Sequence, residues 1–327
     1  MEVEQEPVAA IVKTKEECLW KAKLAQEANR FEDMARYMRR VAECGEPMTK
    51  DEDNMMAAAY KHLLDTKRSS RRTLVTVEQK DGIASWEAAA ARQYRERVDD
   101  ELRALCTEVL AVVDEWLTSD RSNASDPATG VFYWKLCADY NRYVAEVIDD
   151  PGDRAAVVAR SRAAYERADQ IGRTALRPVD PVRLGLMLNY SVFLYQVCQQ
   201  RRQGLDVAKH AFDEAVAQID TIDDLMYDDS TLILRLIRDN LNIWIQENGG
   251  ESYAAAVATA AAVVAGTDDP QQQQQQPQQA LSTLPVADDR MAVTAIAAST
   301  VMLSLSPPNV ESQNDDLDRQ TLRDNVN

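Results

Sequence analysis

Residues 132–146 read Phe-Tyr-Trp-Lys-Leu-Cys-Ala-Asp-Tyr-Asn-Arg-Tyr-Val-Ala-Glu, a stretch without Gly or Pro whose apolar residues recur three and four apart. This period predicts an α-helix. Lys135, Asp139 and Arg142 lie at i, i+4 and i+7, so two cations flank one carboxylate on a single face. Tyr143 adds a hydroxyl at the same edge. A guanidinium held by a carboxylate beside a phenol suits a phosphate group, and the alternative is a solvated face with an internal ion pair.

A second cationic stripe lies nearer the amino terminus. Lys61, Arg68 and Arg72 are spaced at i, i+7 and i+11, which places them within about 40° of one another around a helix axis. Two predicted helices therefore each carry a narrow cationic stripe, although the chain as a whole is strongly acidic. The pair of stripes predicts a binding site for a phosphate.

Composition excludes several classes of protein. The 327 residues carry a formal net charge of −17, which argues against general affinity for nucleic acid or an anionic membrane. Gly and Pro number only 10 and 11, and alternating β-branched patterns are scarce, so the fold class is predicted to be all-α. Five cysteines without CxxC spacing indicate reduced thiols and a cytoplasmic protein. No apolar run reaches the length of about 18 residues of a membrane span, and we expect no signal peptide.

Helical patterns fill the first three quarters of the chain. The first is predicted from Lys15 to about Ala42, and the second begins near Asp51, which we expect to cap it. Further helices are predicted over 86–117, around 132–146, over 154–172, 182–200 and 204–220, and from 228 onward. After residue 249 the sequence turns into a low-complexity acidic segment with a glutamine tract at 271–276. We therefore predict a flexible extension (1–14), a helical domain (15–248) and a mostly disordered tail (249–327).

Two apolar stripes each contain an asparagine. Asn189 lies beside Leu184, Leu188, Val192 and Tyr195, and Asn240 lies among Leu232, Ile233, Leu236, Ile243 and Trp244. Such stripes usually form a core, but a buried amide is costly without a hydrogen-bond partner. An extended peptide lying across both helices would supply that partner through its backbone.

Motifs for catalysis and metal binding are absent from the sequence. It contains no Gly-rich phosphate loop and no HExxH pattern, and His62 and His210 have no Cys or carboxylate at ligand spacing. We expect no enzyme activity, no metal and no cofactor. The alternative is an enzyme whose groups converge from distant segments.

Several segments together resemble one family. They are 21–25, 94–97, 139–146, 181–193, 211–215 and 229–244, in order between about residues 15 and 246, and they resemble 14-3-3 proteins. These proteins are a known example of phosphorylated motifs read by an Arg cluster. The resemblance implies an antiparallel bundle of about nine helices, a cup-shaped protomer and a dimer. It also implies a phosphoserine/phosphothreonine-dependent adaptor that binds phosphorylated client proteins without catalysis.

The resemblance also implies roles for individual residues. The phosphate would be bound by Lys61, Arg68, Arg142 and Tyr143, and the peptide backbone by Asn189 and Asn240. The groove would be lined by Lys135, Leu188, Val192, Leu232, Ile233, Leu236, Ile243 and Trp244. The interface of a homodimer, or of a heterodimer with another family member, would contain Leu24, Ala28, Arg30, Asp33, Ser70, Leu74, Val77, Tyr94, Arg97 and Glu101. Arg30–Glu101 and Asp33–Arg97 would be its crossing ion pairs.

The chain departs from the family pattern at three positions. Gln196 stands in place of a usual Glu, Cys137 in place of a Lys in the groove, and Arg71 in place of a Trp near the dimer interface. The loop serine Ser125 also matches the motif that 14-3-3 grooves bind when phosphorylated. A helical scaffold without phosphate recognition is the alternative function, although the absence of a 34-residue period argues against a TPR-like array.

Overall fold

The computed structural model describes residues 14–46, 48–118, 126–222 and 224–247. Nine α-helices and no strand occur in these ranges, which confirms the predicted all-α class. The helices are α1 (Lys15–Glu27), α2 (Phe31–Glu43), α3 (Lys50–Glu78), α4 (Ser85–Thr118), α5 (Pro127–Ala145), α6 (Pro151–Ala175), α7 (Pro181–Val192), α8 (Arg201–Val216) and α9 (Asp224–Glu247). A π-helical turn (Phe193–Val197) continues α7, and a 3-10 turn (Ile219–Thr221) follows α8.

The single helix predicted from Lys15 to about Ala42 is wrong, because the structure divides it into α1 and α2. Asn29 adopts φ 54°, a left-handed conformation that Asn tolerates better than most residues. The N–H of Arg30 then bonds to the carbonyl of Ala25 at 2.8 Å. This tight turn folds α2 back along α1.

The predicted cap of the next helix is also wrong, since the N-cap of α3 is Thr49 and not Asp51. The Thr49 hydroxyl accepts the Glu52 N–H at 3.3 Å, and the Glu52 carboxylate accepts the Thr49 N–H at 2.9 Å. This reciprocal arrangement is a capping box. The mechanism of the predicted cap was right, but Thr49 satisfies the helix terminus two residues earlier.

The predicted helix over 182–200 ends as an α-helix at Val192 and continues as a π turn. Helix α8 packs closely against this end of α7. A Cβ atom on Gly204 would lie only 2.8 Å from the Ser191 carbonyl oxygen and 2.9 Å from Tyr195 Cβ. Only glycine permits this approach without displacing backbone.

The buried apolar residues form three adjoining cores. One packs α1 to α5, a second packs α7 to α9, and a third joins α5, α6, α7 and α8. The predicted site residues lie on α3, α5, α7 and α9, so both outer cores contribute to their placement. Within the described ranges no helix is long and apolar enough to cross a membrane, and no cluster of three His, Cys, Asp or Glu could hold a metal ion.

Some of the sequence predictions concern residues outside the described ranges. They are the extension up to residue 13, the loop serine Ser125 and the tail over 249–327. Thr14, the last residue of the predicted extension, caps α1 through its hydroxyl, which accepts the Glu17 N–H at 3.2 Å.

Candidate functional site

Helix α5 holds the central residues of the site. It begins with Asp126 as the N-cap and Pro127 in the first turn, an arrangement that favours helix initiation. Asp139 and Arg142 lie in its last two turns, and both are 3% exposed. Charged side chains buried to this degree require partners, and the neighbouring helices supply them.

Two arginines from different helices converge on one carboxylate. Arg68 of α3 donates to both oxygens of Glu146, from Nε at 3.0 Å and from Nη2 at 2.8 Å. Arg142 of α5 lies 3.6 Å from the same Glu146, measured from Nη1 to Oε1. The structure therefore brings together two residues that are distant in sequence and that were predicted to bind one phosphate.

The ring of Tyr143 lies against both arginines. The guanidinium carbon of Arg142 is 4.3 Å from the ring centroid and that of Arg68 is 4.7 Å from it. Both distances are within the range of cation–π attraction. The phenol therefore orients the two cations, in addition to carrying the hydroxyl that the sequence predicted at this edge.

Asp139 connects α5 to α6 and α7. It accepts a hydrogen bond from Lys135 at 2.7 Å and one from the hydroxyl of Tyr165, and it lies 3.5 Å from Arg142. The Asn189 amide of α7 also donates to it, at 3.0 and 3.1 Å. The prediction that one carboxylate holds two cations is thus confirmed, and the carboxylate additionally orients Asn189.

The charge of Asp139 is maintained in spite of its burial. Burial alone would raise the pKa of its carboxyl, but Lys135 and Arg142 more than offset this effect, so the pKa lies below its ordinary value. Burial, reinforced by Asp139, raises the pKa of Tyr165 well above its ordinary value, so its hydroxyl remains a hydrogen-bond donor. Arg142 is consequently fixed by a charged, hydrogen-bonded anchor.

The two asparagines have unused hydrogen-bonding capacity. Each is 1% exposed. Among the described residues, Oδ1 of Asn189 has no hydrogen-bond partner, and neither Nδ2 nor Oδ1 of Asn240 has one. Buried amide groups are nearly always satisfied, so three such atoms on the two predicted peptide-binding residues call for an external partner.

The apolar side chains predicted to line the groove form a buried layer and an accessible layer. Leu188, Val192, Ile233 and Trp244 are buried in the core of α7 to α9, while Leu236 and Ile243 are half-buried and Leu232 is exposed. Trp244 stacks on Tyr195 with 4.3 Å between ring centroids, and the Tyr195 hydroxyl donates to Glu247 at 2.8 Å. Leu232, Leu236 and Ile243 can contact a ligand without any rearrangement of the groove, and the buried members support them.

One predicted phosphate-binding residue, Lys61, and two departures from the family pattern, Cys137 and Gln196, have the following surroundings. Lys61 forms an ion pair with Asp65, one turn further along α3. Burial raises the pKa of Cys137 to about 11, so this position offers a neutral thiol where a Lys was expected. Gln196 lies half-buried in the π turn after α7.

The predicted dimer residues lie on the outer surfaces of α1 to α4. Leu24, Val77 and Tyr94 are exposed apolar side chains, and Leu74 is partly buried against the core of α1 to α5. Ala28, Arg30, Ser70 and Arg97 are exposed, while Asp33 and Glu101 are half-buried. A cavity of about 270 Å³ opens on this side, lined in part by Arg30, Asp33 and Lys67.

The charged groups of this surface are paired within the chain. Arg30 binds Asp33, Arg97 lies 3.4 Å from Glu101, and Lys67 donates to Glu101 at 2.8 Å. Arg71, one of the departures from the family pattern, donates to the buried Asp99 at 2.6 Å.

Two residues of the site were missed by sequence reasoning. Glu146 accepts hydrogen bonds from Arg68, and its position four residues after Arg142 was a usable signal for pairing. Tyr165 contacts Asp139 from a separate helix, and no local pattern indicates that contact.

Comparison with known proteins identifies the family. A family model described as 14-3-3 protein matches residues 21–245. The chain is 42% identical over 238 residues to 14-3-3 protein beta/alpha-A of Xenopus laevis, covering 72% of this chain and 96% of that protein. It is 41% identical over 237 residues to 14-3-3 protein theta of Mus musculus, covering 72% of this chain and 95% of that protein. The chain therefore belongs to the 14-3-3 family, whose members are non-catalytic adaptors that act on client proteins.

Proposed function

We propose that this protein is a phosphoserine/phosphothreonine-dependent adaptor. It binds phosphorylated client segments in a groove formed by α3, α5, α7 and α9, and it acts as a homodimer or as a heterodimer with another family member. The observation that carries the proposal is the convergence of Arg68 and Arg142 on the single carboxylate of Glu146.

The phosphate would bind where the arginine donors converge. A guanidinium fork matches the oxygens of a phosphate as well as those of a carboxylate, and a dianion attracts it more strongly. Arg68 and Arg142 are held by Glu146, Asp139 and the ring of Tyr143, so little side-chain freedom is lost on binding. The hydroxyl of Tyr143 would add a further hydrogen bond.

The peptide backbone would satisfy the asparagines once side chains of the groove move aside, since both amides are buried. Asn189 and Asn240 carry buried amide atoms that have no partner among the described residues, and an extended peptide carries both donors and acceptors at regular intervals. Because the amide of Asn189 is oriented by Asp139, its unpaired oxygen is held in a fixed direction. The two amides would then fix the direction and register of the bound segment.

The acidic remainder of the chain contributes selectivity. With a net charge of −17, the protein repels acidic segments that lack the bidentate contacts of a phosphate. A phosphorylated client would therefore be attracted at the pocket. An unphosphorylated acidic segment would be repelled, because the protein has no general affinity for anions.

The exposed apolar surface of α1, α3 and α4 supports the proposed dimer. Leu24 and Ala28 would pack against Leu74 and Val77 of the partner subunit, and the intrachain pairs of Arg30 and Arg97 would exchange for crossing pairs. Because a two-fold axis forms each contact twice, individually weak contacts are sufficient to hold the dimer together.

A paired-peptide titration tests the proposed function. Fluorescence anisotropy compares a phosphoserine peptide with its unphosphorylated twin on the full chain, using a peptide in which Arg precedes the phosphoserine and Pro follows it. We expect the phosphorylated peptide to bind at least about 100-fold more tightly, because charge-assisted bidentate contacts are made only with the phosphate. Equal affinity for both peptides would instead favour the helical scaffold without phosphate recognition.

A further inference from the structure

Two tryptophans on the outer surface are not accounted for by the predicted interface. Trp86 is 71% exposed and Trp20 is 62% exposed, the largest exposed fractions among large apolar side chains in the described ranges. Trp20 lies one turn before Leu24 on the outward face of α1, opposite the buried Cys18 and Ala22. Five of the seven exposed large apolar side chains in the described ranges lie on α1, α3 and α4, and such a concentration indicates a surface that is covered by a partner.

Ion pairs establish how α3 and α4 lie beside each other. Lys67 meets Glu101 at 2.8 Å, Arg71 meets Asp99 at 2.6 Å, and Glu78 meets Arg95 at 3.0 Å. Residue numbers rise along α3 while they fall along α4, so the two helices are antiparallel.

This antiparallel alignment places Trp86 at one end of a stripe of exposed apolar side chains on α3 and α4, which also contains Val77 and Tyr94. Val77 is level with the segment from Arg92 to Arg95, because the neighbouring Glu78 pairs with both of these arginines. Trp86 lies beyond Val77, near the connection between α3 and α4. On α4 itself, Trp86 and Tyr94 fall on one face, within about 80° of each other around the axis.

The proposed dimer contacts extend toward this tryptophan. Arg30 and Asp33 would meet Glu101 and Arg97 of the partner subunit at one end, and Ala28 and Leu24 would next cover the partner's Leu74 and Val77. Continuing along α1 in the same direction reaches Trp20, about 12 Å from Ala28 at 1.5 Å per residue. Continuing past the partner's Val77 reaches the partner's Trp86.

We propose that Trp20 of each protomer packs on Trp86 of the partner subunit, closing both outer ends of the two-fold interface of this chain. This inference rests on the dimer proposed above and specifies its outermost contact. The occupant is a second copy of this chain, because the stripe on α1 and the stripe on α3 and α4 are complementary in order, with apolar residues at one end and opposite charges at the other. Two large apolar rings buried together, twice per dimer, would contribute strongly to its stability.

A double-mutant cycle on the full chain tests the contact. Sedimentation velocity measures the dimer dissociation constant of the wild type, W20A, W86A and W20A/W86A, with M226A as the control because Met226 is an exposed apolar residue on α9. Each single tryptophan variant is expected to raise the dissociation constant at least about tenfold, as loss of an interface anchor does. The double variant is expected to be little worse than the more severe single variant, because both substitutions remove the same contact.

Three outcomes would overturn the inference. They are a wild type that stays monomeric at 100 µM, a single variant whose dissociation constant stays within twofold of M226A, and additive effects in the double variant. As a second measurement, tryptophan emission of the wild type should shift to shorter wavelength as the protein is concentrated, and W20F/W86F should lack most of this shift. Phosphopeptide affinity, measured on the same samples, reports on the proposed function separately, since these residues lie outside the groove.

Discussion

Arg68 donates two hydrogen bonds to Glu146, at 3.0 and 2.8 Å, so its guanidinium fork is already filled by a carboxylate of the same chain. Arg142 approaches the same carboxylate to 3.6 Å. Glu146 thus has two opposing effects on an incoming phosphate. It holds the donors in position, and it also occupies them and repels the anion.

Glu146→Gln separates these effects. The amide oxygen of Gln can still accept from Arg68, while the negative charge beside the phosphate is removed. We expect phosphopeptide affinity to rise by about three- to tenfold, with a steeper loss of affinity as salt is added. Titrations at several ionic strengths measure both quantities, and unchanged or weaker binding would show that Glu146 acts mainly by holding Arg68.

The sequence predicted the helices with strong periodicity and the cationic stripes, because both depend on local spacing. It predicted the pairing of Asp139 with Lys135 and Arg142 for the same reason. It did not predict the break at Asn29, since a single left-handed residue interrupts neither the apolar period nor the helix propensity of its neighbours.

Contacts between different helices also could not be predicted from the sequence. The Tyr165 hydroxyl that binds Asp139 comes from α6, and the Asn189 amide comes from α7. Their positions depend on how α5, α6 and α7 pack against one another, and short-range sequence patterns do not predict this packing. The predicted role of the asparagines followed from the cost of burying an amide, and both amides have atoms without a hydrogen-bond partner within the described ranges.

Asn240→Leu should separate ligand binding from stability. Leu has the same branching and number of side-chain heavy atoms as Asn, and it removes two buried polar atoms that have no partner in the described part of the chain. We expect phosphopeptide affinity to fall about tenfold, while the melting temperature stays the same or rises.

Asn141→Leu is the matched control for that substitution. Asn141 is also buried, but its amide donates to the Cys137 carbonyl at 2.8 Å and accepts from Arg160 at 3.3 Å. Its replacement should lower the melting temperature. A large loss of stability in N240L, comparable to that in N141L, would contradict an amide held ready for a ligand.

A charge exchange tests the crossing ion pair of the dimer. Asp33→Lys places a positive charge opposite the positively charged Arg97 of the partner subunit. The repulsion occurs twice per dimer and should shift the sedimentation profile toward monomer. Asp33→Lys combined with Arg97→Glu restores opposite charges and should recover the dimer. A D33K variant that remains fully dimeric at micromolar concentration would exclude this pair, as would a double variant that remains monomeric.

Asp53 should make stability depend on pH. The pKa of its carboxyl is raised to about 7, mainly by burial and to a smaller extent by Glu52. A hydrogen bond from Tyr133, at 2.5 Å, and the charge of Lys15 oppose the increase. Because the folded pKa exceeds the unfolded value, ionising Asp53 costs stability. The contribution of Asp53 therefore favours folding at low pH and is lost as pH rises from about 4 through 7.

Asp53→Asn should remove most of this dependence. The amide oxygen can still accept from Tyr133, and we expect the variant to be more stable than the wild type at pH 8, by about 2–4 kcal/mol, with a smaller difference at pH 5. Urea unfolding at both pH values measures the change. An equal effect of the substitution at the two pH values would contradict a raised pKa in the folded state.

The most direct test of phosphate recognition is the phosphopeptide affinity of Arg68→Glu, measured by calorimetry beside the wild type. Arg103→Glu serves as the control, because it makes the same change of charge on an exposed residue of α4. Helix content by circular dichroism should be equal in all three proteins. We predict that R68E weakens binding by at least about 30-fold, since losing one of two converging cations costs about 2–5 kcal/mol, while R103E binds like the wild type. Wild-type affinity in R68E would contradict phosphate binding by this pair of arginines.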